Sequence, residues 1–123
     1  MNEQKLFDAS LKHIRKQGIQ SSDPDTAGTC MYHMDNGLKC AFAPAIQLYD
    51  TDLEGNSAVD LLEEYPNALY QEYRNIDKSF AIDIQVAHDD WDRDSHLDFI
   101  SHFEAMMEEV AVSHGLEYST NEQ

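Results

Sequence analysis

Residues 29–46 read TCMYHMDNGLKCAFAPAI, and whether the protein carries a β element turns on them. Asp35-Asn36-Gly37 stands between two β-tolerant runs. It is the strongest short-range hairpin signal in the chain, because Asn and Gly accept the positive φ that tight hairpin turns require. The pattern predicts strands near 29–34 and 38–43, the second ended by Pro44. Turn length sets which faces meet. A two-residue Asn36-Gly37 turn pairs His33 with Cys40 and puts Cys30 and Cys40 on opposite faces. A longer turn with a glycine bulge pairs Tyr32 with Cys40 and returns both thiols to one face. Both registers stay open. Tyr32, Cys40, Phe42 and Leu62 are the core candidates.

Outward from this hairpin the patterns are helical. Phe7, Leu11 and Ile14, with Leu6 beside them, make one face of a helix within residues 1–18, and Gly18 sits where a helix-ending residue belongs. Residues 19–28 hold turn formers and a proline, and read as a loop. The acidic turn at 49–56 leads to Ser57 and Asp60, a capping box that opens a short helix over 57–65 with Val59, Leu61 and Leu62. Leu69, Tyr70 and Tyr73 predict a further helix over 67–76. In 79–91, Phe80, Ile82, Ile84 and Val86 alternate as in a strand, whereas Phe80, Ile84, Ala87 and Trp91 fit a helix face; the missing turn signal favours helix. Ser95 with Asp98 makes a second capping box for a helix over 96–114. Its stripe is Leu97, Ile100, Phe103, Met107 and Val110, and Gly115 ends it before a frayed tail. The expected fold class is α+β: one mostly helical domain over 1–123, its hairpin packed against the terminal helices.

Charge is the feature with functional content. The 123 residues carry a net charge of −16, against a magnitude of about 2–8 that suffices for solubility. Of 24 acids and eight bases, five of each fall in residues 1–49, which leaves 19 acids and three bases in residues 50–123. The entire excess lies there, which disfavours direct binding of nucleic acid or an anionic membrane and favours a basic partner. An apolar run of the roughly 18 residues a membrane span needs is missing, as is a leader pattern, so a cytoplasmic protein is expected. Two cysteines are too few for a secreted disulfide framework and read as reduced, largely buried thiols.

Several motifs touch chemistry. Asp90, Asp92, Asp94 and Asp98 occupy positions 1, 3, 5 and 9 of a calcium-loop pattern, but position 6 is Ser95 instead of glycine and position 12 is Ser101 instead of glutamate. Calcium or magnesium is therefore the alternative to having no cofactor. Asp50 to Gly55 repeats the start of that pattern without its end. His88-Asp89 is the kind of pair a metal phosphohydrolase uses, with His96, His102 and His114 as further ligand candidates. His33 between the cysteines lacks zinc spacing. Neither a nucleophile elbow nor a glycine-rich phosphate loop occurs. The balance leans away from an enzyme.

Carboxylates three or four residues apart on a helix lie about 5–6 Å from one another, a spacing comparable in scale to a nucleic-acid backbone. Asp89, Asp90, Asp92, Asp94, Asp98, Glu108 and Glu109 cluster around one helix start and its outer face, and are the candidate partner-binding residues. Plain surface solvation is the alternative; a general adaptation to salt would acidify both halves, and residues 1–49 are neutral.

Cys30 and Tyr32, the run Gly37 to Ala41 (G-L-K-C-A), Ile46, Tyr49, and Glu54, Gly55 and Ser57 together resemble a family of small uncharacterised tailed-phage and prophage proteins. The L-F-D of the first helix and the Q-V-A-H-D run from Gln85 to Asp89 also fit. The chain departs from the family at Ala43, where glycine is usual, and in its acidic second half. The resemblance implies a phage or prophage origin and carries no activity. An acidic accessory protein follows as the leading expectation. It would bind a basic host protein, such as a nucleic-acid-binding one, as a nucleic-acid-mimicking inhibitor in the host cytoplasm. A metal-binding module or metal-dependent hydrolase built on His88–Asp98, and a structural or assembly protein, are the alternatives.

Overall fold

A computed structural model describes residues 2–23, 29–34, 37–91 and 96–118. Four α-helices carry the architecture: α1 (Asn2–Gln17), α2 (Ala58–Glu64), α3 (Lys78–Asp89) and α4 (Phe99–His114). In α1, Leu6, Phe7, Leu11 and Ile14 recur at helical spacing, and none is more than 3% exposed. The helix ends at Gly18, whose φ of 80° suits the residue that closes a helix and whose N–H reaches the Ile14 carbonyl at 2.8 Å. The helix α3 lies between α2 and α4, and α1 packs across α3 and α4 and against a 3₁₀ turn at Ala43–Ala45. Phe7, Phe42, Leu61, Phe80, Ile84, Phe103 and Met107 fill the space between them. None of the helices among the described residues is long and apolar enough to cross a membrane.

The fold is helical, which corrects the α+β expectation. The hairpin expected over 29–43 does not form as a ladder. Thr29–Cys30 pairs backward, with Ser22–Asp23, as a two-residue antiparallel pair. His33 and Lys39 make only an isolated bridge. The register is that of the longer turn, since the Cys40 N–H donates to the Tyr32 carbonyl at 3.2 Å and the Met34 N–H to that of Leu38 at 2.8 Å. Asp35 and Asn36, the expected turn centre, lie outside the described residues.

Two local events end the ladder. The Glu54 carboxylate accepts the Tyr32 N–H (2.9 Å), which a continuing ladder would give to Cys40, and the His33 N–H (3.0 Å), which points away from residues 38–43. Beyond Cys40 the chain folds over at once, the Ala43 N–H donating to the Cys40 carbonyl at 3.2 Å as Pro44 enters the 3₁₀ turn. Pro44 lacks the N–H that a continuing strand would use.

Two helical expectations are also corrected. Residues 67–76 are not one helix but 3₁₀ turns at Pro66–Ala68 and Gln71–Tyr73 with extended backbone at Leu69 between them. There the chain exchanges hydrogen bonds with 45–48: Tyr70 N–H to the Ala45 carbonyl (3.0 Å), and Gln47 N–H (2.8 Å) and Leu48 N–H (3.0 Å) to that of Ala68. The last helix starts at Phe99, not 96, because Asp98 itself is the cap, accepting the Ser101 N–H at 2.7 Å. Leu97 is consequently exposed and outside the stripe. Ser95, the expected cap, lies outside the described residues, as do 119–123.

The alternating residues of 79–91 belong to α3, where Phe80, Ile84 and Ala87 are fully buried and Ile82 and Val86 stand exposed on the opposite side. The helix α2 begins with a complete capping box: the Asp60 N–H donates to Ser57 Oγ and the Ser57 N–H to the Asp60 carboxylate, both at 3.1 Å. Ser57→Ala should therefore lower unfolding free energy by about 1 kcal/mol in urea melts with an unchanged m-value.

Helices α3 and α4 are capped by acids with a pH signature. Asp77 accepts the Ser79 hydroxyl and backbone N–H, and Asp98 accepts the Ser101 N–H; these bonds hold both carboxyls below the ordinary aspartate value. A folded-state value below the unfolded one adds stability above the unfolded pKa and loses it as pH falls through the folded one. The stability of the wild type should fall between about pH 5 and pH 2. Asn also caps helices but does not titrate. The double variant Asp77→Asn/Asp98→Asn should thus stay folded and show a shallower acid limb in thermal melts taken across that range.

Candidate functional site

Of the described candidate acids, Asp89, Asp90 and Asp98 flank the junction of α3 and α4, where the last turn of α3 comes first. His88 is fully buried, its ring edge-on to Phe99 at 5.5 Å between centroids. The Ser21 N–H donates to His88 Nε2 at 3.0 Å, so Nε2 is an acceptor and the ring proton sits on Nδ1, which donates to Asp89 Oδ1 at 2.6 Å. Both nitrogens are thus engaged, and the pair ties the segment after α1 to the α3–α4 junction. Gln20 reinforces the tie through its side-chain amide to the His88 carbonyl at 3.0 Å. The pair has no nitrogen left for a metal.

Asp90 is the C-cap of α3, with its carboxylate 62% exposed and 3.9 Å from His102 Nε2. A carboxylate at a helix C-terminus faces the negative end of the helix dipole, which costs about 0.3–1 kcal/mol. Asp98 sits at the opposite kind of position, where the positive end of α4 and the Ser101 N–H compensate it. Glu108 and Glu109 stand exposed on α4, ten and eleven residues beyond Asp98 and thus about 15 Å further along the axis. Asp92 and Asp94 lie outside the described residues. Of the five described candidates, then, three flank the junction and two lie further along α4.

The metal alternative receives no ligand set from the described residues, where no group of three His, Cys, Asp or Glu side chains is placed to hold an ion. Asp98 is occupied as a cap. His114 reaches Asp83 at 2.8 Å and packs edge-on against Phe80, and His96 is exposed.

Some of the other acids are compensated by a base. Glu63 pairs with Lys78 at 2.7 Å, and Glu104 with Arg15 at 2.6 Å. Glu72 pairs with Lys5. The Arg74 guanidinium donates to the Leu69 carbonyl at 3.2 Å. Asp90, Glu108 and Glu109 have no Lys or Arg within ion-pair distance among the described residues.

A second polar cluster escaped the sequence reading. Glu54 accepts the two N–H groups of Tyr32 and His33 and also the Tyr49 hydroxyl at 2.5 Å. Beside it the Tyr32 hydroxyl donates to the Asn56 carbonyl at 2.6 Å and accepts from the Gln85 amide at 3.0 Å. Gln85 in turn accepts the Ala58 N–H at 2.8 Å. Tyr32, Asn56 and Gln85 border a cavity of about 310 Å³ that Cys40 and Asp89 also line. Burial pushes the Cys40 thiol and the Tyr32 phenol well above their ordinary values, so both keep their protons at neutral pH. A protonated, fully desolvated thiol is a poor nucleophile. Tyr32, Tyr49, Glu54 and Gln85 all stand among the motif residues of the sequence, but nothing there joins them into one cluster, and 49–56 reads only as an acidic turn.

No family model, curated protein or solved structure matches the chain at a significant level.

Proposed function

We propose that the chain is an acidic accessory protein of phage or prophage origin that binds a basic surface of a host protein, competing there as a nucleic-acid mimic. The carrying observation is that Asp90, Glu108 and Glu109 are exposed, have no Lys or Arg partner among the described residues, and are mounted on two helices packed against one another. Asp90 adds a second argument, because it opposes the dipole of its own helix and so contributes nothing there to stability. Fixed carboxylates of one sign raise the encounter rate with a basic cleft and make the complex sensitive to salt. Ile82 and Val86, exposed on α3, supply apolar area of the kind an interface centre needs inside a charged rim.

Two outcomes test the reading. The immobilised protein should retain a basic bacterial protein at low ionic strength and release it as salt rises, with affinity dropping about tenfold or more across that range. Duplex DNA should compete for the same partner. Retention that ignores salt, or a partner that holds DNA and this protein together, contradicts the proposal. Asp90→Asn separates stability from binding: it should stabilise the fold by about a few tenths of a kcal/mol in urea melts while weakening capture.

A further inference from the structure

The opposite charge collects elsewhere on the molecule. Lys12 and His13 each lie three or four residues from both Ala9 and Lys16, so the four share one face of α1. The returning chain lays Lys39, Ala43, Pro44 and Ile46 against that face, and Tyr70 and His33 close the rim of a groove of about 460 Å³. Three amino groups converge there in a chain of net charge −16, and no carboxylate lines the groove. None of Lys12, Lys16 and Lys39 makes an ion pair among the described residues, although acids outnumber Lys and Arg three to one. The nearest acid along α1, Asp8, is bonded to Gln4.

We propose that this groove binds a small phosphate monoester carried on a flat aromatic body, with Lys12, Lys16 and Lys39 holding the phosphate and the Ala9–Ala43–Pro44–Ile46 floor and Tyr70 covering the ring. A dianion with three terminal oxygens suits three point-charge ammonium groups better than a single carboxylate does. The groove's size lies within the range of small-ligand sites, and its makeup, an apolar floor with a few convergent polar groups, is theirs as well. At physiological ionic strength charges beyond about 8 Å are largely screened, so the contacting lysines outweigh the remote acids.

Two histidines complete the site. His13 is held by its Nε2 donating to the Lys39 carbonyl at 3.2 Å, and His33 by stacking on Tyr49, 4.0 Å between centroids. Burial, with the Lys39 cation adding to it, sets both rings below the ordinary imidazole value. The groups facing them are Lys39 and His88 for His13, and Lys39, His13 and Glu54 for His33. Both are therefore neutral at pH 7, and a bound dianion favours their protonation.

The test is an amide chemical-shift titration of the full chain with phenyl phosphate, adenosine 5′-monophosphate and inorganic phosphate. The two aromatic esters should shift Lys12, His13, Lys16, Lys39 and Ile46 with dissociation constants of about 1 mM or tighter at pH 7.5, where the esters are dianions. Inorganic phosphate should bind at least tenfold more weakly, and the stronger of the two esters identifies an aryl phosphate or a nucleotide as the class. Lys12→Gln/Lys16→Gln should weaken binding tenfold or more with an unchanged circular dichroism spectrum, and Lys78→Gln, outside the groove, should not. Silence of those amides with both esters, binding that survives the double lysine variant, or parity with inorganic phosphate overturns the proposal. Sedimentation showing a second copy of the chain seated in the groove overturns it as well.

Discussion

Glu54→Ala should destabilise the protein by about 3 kcal/mol, the largest effect expected of any single carboxylate in the chain. Its side chain accepts the Tyr32 and His33 N–H groups and the Tyr49 hydroxyl. Hydrogen bonds to a charged acceptor contribute about 1.5–3 kcal/mol each, and donors left partnerless inside the fold are costly. The three do not add in full, because Glu54 is half-buried and water can reach part of the site. Glu54→Gln keeps one acceptor oxygen but turns an NH₂ toward the donors, so it should recover less than half of the loss. Thermal melts should show a fall of about 10 °C for the alanine variant in a domain of this size. A loss below about 1 kcal/mol would mean that residues 29–40 are held by strand pairing after all.

His88→Ala should cost about 3–4 kcal/mol, combining a cavity in a fully packed site with an unpaired Ser21 N–H. The ring is fully buried, and its two nitrogens join Ser21 to Asp89. The variant separates two roles for the His88-Asp89 pair. A structural tie predicts a large drop in unfolding free energy that no divalent cation restores. A metal ligand predicts a modest drop and a loss of ion-dependent stabilisation. His88→Gln, which can still accept from Ser21, should recover about 1 kcal/mol of the loss.

What the sequence disclosed follows the range of the interactions involved. The stripes of α1 and α4, and the Ser57 and Asp60 box of α2, are set by residues within one or two turns, and spacing alone reveals them. The Asn36-Gly37 signal is also local, but a ladder is not. The acceptor that takes the Tyr32 and His33 N–H groups lies 22 and 21 residues away, and nothing near residue 33 announces it. The α+β reading failed for that reason. The strand-like alternation of 80–86 stood beside the correct helix reading because two apolar residues of α3, Ile82 and Val86, face outward. The 67–76 segment failed likewise through its exchange of hydrogen bonds with 45–48.

The candidate site was legible to a similar degree. The excess of acid after residue 50 is read directly, but which acids are compensated depends on contacts such as Arg15 with Glu104, 89 residues apart. Asp98 reads in the sequence as the partner of Ser95 in a capping box and in the fold is the cap itself. The lysine groove was hidden altogether, because one helix face becomes a site only when residues 39–46 return to it.

The proposed function rests on three particular carboxylates, not on total charge, and one comparison separates the two. Asp90→Asn/Glu108→Gln/Glu109→Gln and Asp8→Asn/Asp52→Asn/Glu64→Gln each remove three acids and leave equal net charge. Immobilised side by side with the wild type, and confirmed as folded by circular dichroism, they should behave differently toward the salt-eluted basic partner. The account predicts that the wild type and the second variant retain it while the first loses it by tenfold or more. Equal loss from both variants, or no loss from the first, would contradict it.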